Sequence, residues 1–416
     1  MTKTYIVPGK RIPFVKAGTH YGKYESLALA MPVMQAMGKI AQPDFVVWGQ
    51  VIPDPIISNI AREAWLKAGL SPDVPGFSTT LACATSMVGC IQASGMLGRG
   101  GTHLAMVGGS ESMSHVAIAL KSAVSQKLME LFMADPAQAT NMFQKLTAQD
   151  FNLPVRGWAN TISGRSMGEH TEDTAKFFNI SRQEQDRWAY ESHKRVIEAQ
   201  KSGFFDDLIV PFSDVEKDLI PRADSTFEKL STLKPVFDTS EKGTLTAGNS
   251  SPLTDGAAAV WVADEKGLER LDSRYAVEIV DWELAAMNYK EEGILMAPSR
   301  AIPRLLDRHD LKFSDIALYE IHEAFATQVL ANIKAIADPE YRKNNARVDR
   351  DLGDFPWDRV NPNGGSLAIG HPFAATGARD LSQAAKELSG FASGNYAIVS
   401  VCADGGQGVV MLLRKP

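Results

Sequence analysis

The run Leu104-Ala105-Met106-Val107-Gly108-Gly109 is short, apolar and closed by glycines, which is typical of a strand buried on both faces. Upstream, residues 45–51 also predict a strand, and residues 60–68 carry apolar side chains at helical spacing. The carboxyl-terminal part repeats the pattern, with a strand predicted at 316–321 and a helix at 324–335. Strands that alternate with helices in this way predict an α/β protein with helices on both faces of its sheet.

Length and charge limit the possible functions. The chain has 416 residues, enough for two or three domains or for one duplicated fold. Its 49 acidic residues exceed its 43 lysines and arginines, so the formal net charge is −6. This balance gives no general attraction for nucleic acid or an anionic membrane, although it permits a local basic pocket for a phosphorylated ligand. We therefore expect no nucleic-acid partner.

The cysteines are Cys83, Cys90 and Cys402, an odd number spread over a long chain. They do not form a disulfide framework, so they indicate free thiols and a reducing compartment. The amino terminus has no apolar signal region, and the last residues carry no peroxisomal or lipidation signal. These features together predict a cytoplasmic protein.

The segment of about 119–247 differs in character from the parts on either side of it. It is polar and contains clusters of charge, and residues 182–201 have the composition of a helix. Ser181 lies three residues before Glu184, which is the pattern of a capping box at a helix start. We interpret this segment as a domain inserted into the first half of the chain.

A first candidate for chemistry is Cys83, in Leu81-Ala82-Cys83-Ala84-Thr85-Ser86 at a predicted strand-to-helix junction. A thiol at a helix start lies beside unpaired N–H groups and the positive end of the helix dipole, which favour a thiolate. The alternative is a small buried hydrophobic residue, as most free cysteines are. Cys90, farther along the same helix, fits that structural interpretation better.

A second candidate is the pair His322 and Glu323, which follows an apolar strand directly. Functional side chains of α/β folds are commonly found at this position, although a helix cap with a satisfied histidine is an equal alternative. The residue four positions after His322 is Ala326, so this is not the two-histidine helical zinc motif.

Two further candidates lie in glycine-rich turns. His371 stands between Gly370 and Pro372, a constrained turn that is costly unless the orientation of the imidazole matters. Cys402 opens the turn Cys-Ala-Asp-Gly-Gly, which lacks the Lys-Ser/Thr of a nucleotide-binding loop. Two thiols and two histidines without clustered metal ligands suit acyl transfer through a thioester, so we expect no metal.

These motifs resemble the thiolases, the acetyl-CoA acyltransferases, and the resemblance runs almost from end to end. The His-Glu-Ala-Phe-Ala, Gly-His-Pro and Cys-x-x-Gly-Gly motifs occur in the family's order. Further matching segments are Arg11-Ile12-Pro13-Phe14, Ser166-Met167-Gly168, the stretch 181–186 and the stretch 246–259. The setting of Cys83 and a histidine at 322 are most similar to the fatty-acid β-oxidation branch, which forms the β subunits of multienzyme complexes.

The resemblance implies a five-layer α/β/α/β/α fold made of two similar halves, each with a mixed five-stranded sheet. Residues 1–118 and 248–270 would form the amino-terminal half, and residues 271–416 the carboxyl-terminal half. Residues 119–247 would form a loop domain that covers coenzyme A.

The resemblance also implies catalytic roles for residues of this chain. Cys83 would attack the keto carbon of a 3-ketoacyl-CoA, and His371 would deprotonate Cys83. Cys402 would protonate the leaving acetyl-CoA enolate, or remove the α-proton in the reverse Claisen condensation. His322 stands where many members carry asparagine and would hold an ordered water in the oxyanion hole, with Glu323 supporting it.

Coenzyme A would be a substrate, with no resident cofactor. The residues that the resemblance assigns to its pantetheine and adenine parts are Met167, Phe237, Ala247, Gly248, Ser251, Ala324 and Phe325. Arg222 would bind a phosphate, because its spacing to Phe237 fits the family. One departure is Asp404, where the family usually has a glycine whose N–H belongs to a second oxyanion hole. A carboxylate there opposes developing negative charge unless it is paired or points away.

Partners and alternative functions follow from the same resemblance. Thiolases are dimers or dimers of dimers, so a homodimer or homotetramer is expected. Apolar residues between 117 and 146 either pack within the loop domain or dock a hydratase/dehydrogenase α subunit or a membrane surface. The alternative functions are a ketoacyl synthase-type condensing enzyme, which does not need Cys402, and a non-catalytic CoA-binding subunit.

Overall fold

The computed structural model describes residues 2–152 and 159–416. The strands are β1 Tyr5–Val7, β2 Val15–Lys16, β3 Phe45–Gly49, β4 Gly76–Thr79, β5 Leu104–Glu111, β6 Ala119–Leu120, β7 Phe151–Asn152, β8 Thr254–Ala263, β9 Val277–Ala286, β10 Ile316–Ile321, β11 Tyr396–Ala403 and β12 Gln407–Arg414. The helices are α1 Ser26–Ile40, α2 Ile60–Lys67, α3 Thr85–Met96, α4 Ser122–Ala134, α5 Pro136–Gln144, α6 Met167–Phe177, α7 Arg182–Lys201, α8 Phe227–Ser231, α9 Glu265–Leu268, α10 Tyr289–Glu292, α11 Pro298–Arg308, α12 Ala326–Ala337, α13 Pro339–Tyr341, α14 Ser366–Ile369 and α15 Thr376–Leu388.

The main sheet is mixed and runs in the order β10-β11-β12-β9-β1-β8-β5-β3-β4, with β2 paired to β8. In the first half β4, β3 and β5 are parallel, whereas β8 and β1 are antiparallel to their neighbours. In the second half β9, β12 and β11 are antiparallel and β10 is parallel to β11. The two sets join because β1 pairs on both edges, with Tyr5 opposite Ala263 and opposite Glu278.

Helices cover the strands in the predicted layers. Helices α3 and α15 pack against each other between the two sets of strands, and their apolar side chains share one core cluster with β3, β5, β10 and β11. Helices α1 and α2 cover the outer face of the first set, and α11 and α12 cover that of the second. This confirms the five-layer α/β fold. Cys90 is fully buried in the central cluster, as its structural interpretation predicted.

The segment 119–247 contains β6, β7 and helices α4 to α8, while its residues 153–158 lie outside the described part of the chain. Helix α7 begins with the predicted capping box, in which the Ser181 hydroxyl accepts the N–H of Glu184. Helix α12 begins two residues later than predicted, at Ala326. Among residues 2–152 and 159–416, no helix is both long and apolar enough to span a membrane.

Candidate active site

Cys83 lies in a tight turn between β4 and α3. Ala82, directly before it, has a φ of +43°, a left-handed conformation that costs energy for a residue with a side chain. Thr85 holds the turn, because its Oγ1 accepts the N–H of Leu81 at 2.8 Å and donates to the Ala82 carbonyl at 2.7 Å. This strained turn orients the Cys83 thiol at the start of α3.

The thiol of Cys83 contacts the imidazole of His371, with 3.1 Å between Sγ and Nε2. The other ring nitrogen, Nδ1, lies 2.7 Å from Oγ1 of Thr376, whose hydroxyl can donate to the Pro372 carbonyl at 3.4 Å. In that arrangement Nδ1 carries the imidazole proton, so Nε2 presents a lone pair to the thiol. A thiol beside a basic nitrogen is the geometry of an activated nucleophile.

The resting pair is uncharged. Burial raises the pKa of Cys83 to about 12, and the charges of Asp404 and Glu111 act in the same direction. Burial lowers the pKa of His371 to about 3, with the positive charge of Arg379 as a further cause. The helix start therefore does not yield a resting thiolate, contrary to the sequence-based expectation, because desolvation outweighs the backbone N–H groups. Proton transfer to His371 has to accompany the attack.

His322 lies beside this pair, and its ring centroid is 4.1 Å from that of His371. Its Nδ1 is 2.8 Å from the Ser366 hydroxyl, which also accepts a hydrogen bond from Arg379 at 2.6 Å. Since Ser366 accepts from Arg379, its own proton is free to go to Nδ1 of His322. Nε2 of His322 then carries a proton, and it is buried with no partner among the described residues. This is a pre-placed hydrogen-bond donor.

The environment of His322 also keeps it neutral. Burial moves its pKa well below the ordinary value, and the nearby His371 and Arg379 act in the same direction. The sulfur of Cys83 and one ring nitrogen each of His322 and His371 lie within 4.8 Å of one another. These donor types could also ligate a metal ion, but here they form a thiol, a base and a hydrogen-bond donor around one small space.

Cys402 is the last residue but one of β11 and is 1% exposed. Burial raises the pKa of its thiol well above the ordinary value, and a negative charge on Cys83, when present, would act in the same direction. The two thiols are therefore close enough to interact electrostatically. A buried, protonated thiol near the nucleophile is suited to donate a proton to a carbanion.

Asp404 has neutral hydrogen-bond partners. Its Oδ1 accepts from the Asn160 amide at 2.8 Å and from the Gly405 N–H at 2.6 Å. Asn160 belongs to the segment 119–247, so the contact connects that segment to the Cys402 turn. These hydrogen bonds satisfy the carboxylate without neutralising it, so its charge still raises the pKa of Cys83.

Glu323 is buried, and its carboxylate forms hydrogen bonds with residues other than His322. Its carboxylate accepts from Trp188 at 3.0 Å and Ser192 at 2.7 Å, both on α7. It also accepts from the Asn361 amide at 3.0 Å and the Leu367 N–H at 3.2 Å. Glu323 therefore fastens α7 to the second half of the chain, and the polar side-chain partner of His322 is Ser366 instead.

The residues assigned to coenzyme A fall in two places. Four of the eight lie in the region beside Cys402: Met167, Phe237, Ala324 and Phe325 share an apolar cluster with that thiol. The nearby backbone is fixed, because the N–H and hydroxyl of Ser251 both donate to the Ala324 carbonyl. The turn at Ala247, which is exposed, and Gly248, which is half-buried, immediately precedes this segment.

Arg222 lies apart from that group and is exposed. It lines a cavity of about 180 Å³ together with Lys194 and Lys201 of α7. Glu198 also lines this cavity, so three cations and one carboxylate leave it with a net positive charge.

Sequence reasoning missed the hydroxyls that set the protonation of the two imidazoles. Ser366 and Thr376 lie five residues before and five residues after His371, and nothing in the sequence indicated which ring nitrogen each would contact. Thr254 was missed in the same way, and its Oγ1 accepts the backbone N–H of His371 at 3.0 Å. The only signal in the sequence for such a role is a serine or threonine near a constrained histidine.

The fold and this constellation, a thiol against an imidazole in a mixed α/β protein, are typical of one class of enzyme, the acyltransferases that work through a cysteine. The family model described as "Thiolase, N-terminal domain" matches residues 4–266, and "Thiolase, C-terminal domain" matches residues 273–415. The chain belongs to the thiolase family.

Relatives match over their full length. A probable 3-ketoacyl-CoA thiolase of Caenorhabditis elegans is 35% identical over 425 residues, covering 100% of this chain and 94% of the relative. A 3-ketoacyl-CoA thiolase of Pseudoalteromonas translucida is 36% identical, covering 99% and 96%.

Solved structures agree with the fold. The acetyl-CoA acetyltransferase of Bacillus anthracis superposes with a TM-score of 0.82 at 30% identity, covering 100% of this chain and 99% of that one. A thiolase from Ascaris suum in complex with coenzyme A superposes with a TM-score of 0.80 at 24% identity over both whole chains, which supports the fold alone.

Proposed function

We propose that this protein catalyses the thiolytic cleavage of 3-ketoacyl-CoA by CoA, giving acetyl-CoA and a shortened acyl-CoA, or the reverse Claisen condensation. The observation that carries the proposal is the 3.1 Å contact between Cys83 Sγ and His371 Nε2 beside a second buried thiol. The names of the full-length relatives supply the substrate class.

In the first half-reaction the Cys83 sulfur bonds to the 3-keto carbon while its proton passes to Nε2 of His371. The bond between C2 and C3 then breaks, and its electron pair leaves as the enolate of acetyl-CoA. Cys402 gives its proton to C2 of that enolate, which releases acetyl-CoA and leaves an acyl group on Cys83. Free CoA attacks this thioester in the second half-reaction, its thiol proton returns to Cys402, and Cys83 recovers its proton from His371.

The developing oxyanion needs a donor that is already in place. The geometry of Ser366 and Arg379 favours the His322 tautomer with a proton on Nε2, and that N–H has no other partner among the described residues. A direct hydrogen bond from Nε2 to the substrate oxygen, or one through a water molecule, would stabilise the transition state more than the ground state. Asp404 does not supply such a donor through its side chain.

For coenzyme A we propose two contact regions. The apolar residues beside Cys402, including Met167, Phe237 and Phe325, would surround the pantetheine arm. The Ser251 and Ala324 backbone would pack along it, with Ala247 and Gly248 at the entrance. Arg222 would bind a phosphate of the nucleotide part. We expect no resident metal or organic cofactor, because proton transfer and thioester exchange account for every step.

The free edge of the sheet and one exposed helix bear on the assembly of the protein. We expect a homodimer or homotetramer, since β4 ends the sheet and one of its edges has no strand partner among the described residues.

Helix α4 buries none of its residues, and Met129, Phe132 and Met133 on it are exposed. This surface would suit a hydratase/dehydrogenase α subunit, which is tested by co-purification of wild type and a Leu131→Ser/Phe132→Ser variant. We also expect a cytoplasmic location, in line with the free cysteines.

The decisive assay mixes 3-ketoacyl-CoA, free CoA and protein, and measures acetyl-CoA formation by chromatography. We expect turnover that is abolished in Cys83→Ala and retained in the matched control Cys90→Ala, which removes a core thiol outside the site. Full turnover by Cys83→Ala would contradict the nucleophile. Activity on acyl-carrier-protein thioesters alone would identify a ketoacyl synthase-type enzyme, and CoA binding without turnover a non-catalytic subunit.

A further inference from the structure

The catalytic pair is assembled from two halves of the chain. Cys83 lies in the first half, whereas His371 is carried by a turn of the second half. Their 3.1 Å contact therefore depends on how this turn, residues 370–376, is seated on the first half. Two backbone N–H groups of the turn are bound there: that of His371 by Thr254 at 3.0 Å and that of Ala374 by Glu111 at 3.3 Å.

Glu111 differs from the other acceptor because it is an acid, at the end of β5, with no solvent exposure. Besides the Ala374 N–H, its carboxylate accepts the N–H groups of Val51 and Ile52, both at 3.0 Å. No salt bridge to a cation is found for it within residues 2–152 and 159–416. A buried carboxylate without a cation is expensive, and here it is compensated by backbone donors alone.

The strand that carries Glu111 is also in unusually close contact with the His371 turn. A Cβ at Gly109, two residues earlier, would lie 2.3 Å from the Ala374 carbonyl oxygen, so only glycine fits there. The backbone of β5 at Gly109 thus contacts Ala374 of the turn. The carboxylate of Glu111 accepts the N–H of that same residue, Ala374. Both contacts fix the turn at a point three residues from the catalytic imidazole.

We propose that Glu111 is a positioning residue for catalysis: its carboxylate clamps Ala374 to the 51–52 loop and so holds His371 against the Cys83 thiol. The inference rests on the proposed role of this thiol–imidazole pair. Glu111 acts through the turn and does not touch the reacting atoms. Burial raises its pKa to about 7, and the N–H groups of Ile52, Val51 and Ala374 oppose this by favouring the carboxylate.

The test compares Glu111→Gln with a control carboxylate that binds the other end of β5. Asp44 accepts the N–H groups of His103 and Leu104 at 2.6 and 2.9 Å, where β5 begins and far along the strand from Glu111. Asp44→Asn therefore perturbs a carboxylate that also accepts two backbone N–H groups, at the opposite end of β5, although Asp44 additionally pairs with Arg270 at 2.9 Å. Glutamine at 111 keeps the shape of the side chain but places an amide donor against a backbone donor.

For Glu111→Gln we expect kcat to fall by about ten- to a hundredfold, the scale of a misplacement of about 1 Å, while KM for CoA stays within about twofold. Hydrogen exchange at the Ala374 amide should become faster, as measured by mass spectrometry of the peptide that contains it. Asp44→Asn should keep the wild-type kcat and exchange at Ala374. The exchange measurement needs no substrate, so it tests the clamp even if thiolysis is not observed.

The proposal is overturned if Glu111→Gln keeps the wild-type kcat, or if Ala374 exchange is unchanged. It is also overturned if Asp44→Asn loses as much activity, because the effect would then reflect strand stability. Should Glu111→Gln not fold, Glu111→Asp retains the charge but is one methylene shorter. We expect the same loss of kcat there, and full activity would refute the clamp.

Discussion

The uncharged resting state of the catalytic pair leads to a specific prediction about the reactivity of Cys83 with iodoacetamide. Only the thiolate is alkylated, and burial raises the pKa of this thiol to about 12. Compared with an ordinary cysteine of pKa about 8.5, the thiolate population near pH 7 is then lower by a factor on the order of a thousand. His371 does not hold the proton instead, because burial lowers its pKa to about 3.

We therefore expect alkylation of Cys83 to accelerate about tenfold per pH unit from pH 6 to 9, without a plateau. The rate is followed by mass spectrometry of the Cys83 peptide, so that reaction at Cys402 is counted separately. Asp404→Asn should shift the whole profile to lower pH, because the charge of Asp404 is a cause of the raised pKa. Asp349→Asn, which removes an exposed carboxylate paired with Lys343, serves as the control.

A plateau below pH 8 would refute this reasoning, because it would show a thiolate–imidazolium pair at rest. An unchanged profile for Asp404→Asn would show that the carboxylate does not act on the nucleophile.

Other substitutions test other contacts of the site. Ser366→Ala removes the hydroxyl that fixes the tautomer of His322, so kcat in steady-state kinetics should fall about tenfold. Losing an oxyanion donor outright, as in His322→Ala, costs roughly 10²–10³-fold. Equal losses of kcat for Ser366→Ala and His322→Ala would argue against the tautomer role. Arg222→Ala should raise KM for CoA about five- to tenfold with a smaller effect on kcat, and an unaltered KM would exclude the phosphate contact. Glu323→Ala leaves three buried donors and the half-buried Trp188 N–H without their acceptor, so the free energy of unfolding in urea should drop by at least about 3 kcal/mol. A drop below about 1 kcal/mol would contradict its role in fastening α7.

The sequence was sufficient to predict the layered fold and to single out side chains that the structure brings together, Cys83, His322 and His371. Apolar strands such as 104–109 and 316–321 are recognisable because residues buried on both faces must be apolar. Cys83 and His371 were recognisable because a strand-to-helix junction and a Gly-His-Pro turn constrain the backbone locally. Both signals are contained within a few consecutive residues.

The protonation of the site could not be predicted, because it depends on contacts between distant residues. The helix start at Thr85 favours a thiolate, whereas the observed burial opposes it, and burial depends on both halves of the chain. The partner of Asp404 is Asn160, 244 positions away, and no local pattern links the two. Glu323 was expected beside His322 as its neighbour in sequence, but its carboxylate turns towards α7.

The central claim is that an acyl group rests on Cys83 during turnover. The most direct measurement incubates the protein briefly with acetyl-CoA, quenches with acid and maps the added acetyl group by peptide mass spectrometry. We predict acetylation of the peptide that contains Cys83, and its disappearance when free CoA is added before the quench. Acetylation of Cys402 instead, or an unmodified Cys83 peptide in protein that turns over 3-ketoacyl-CoA, would contradict the account.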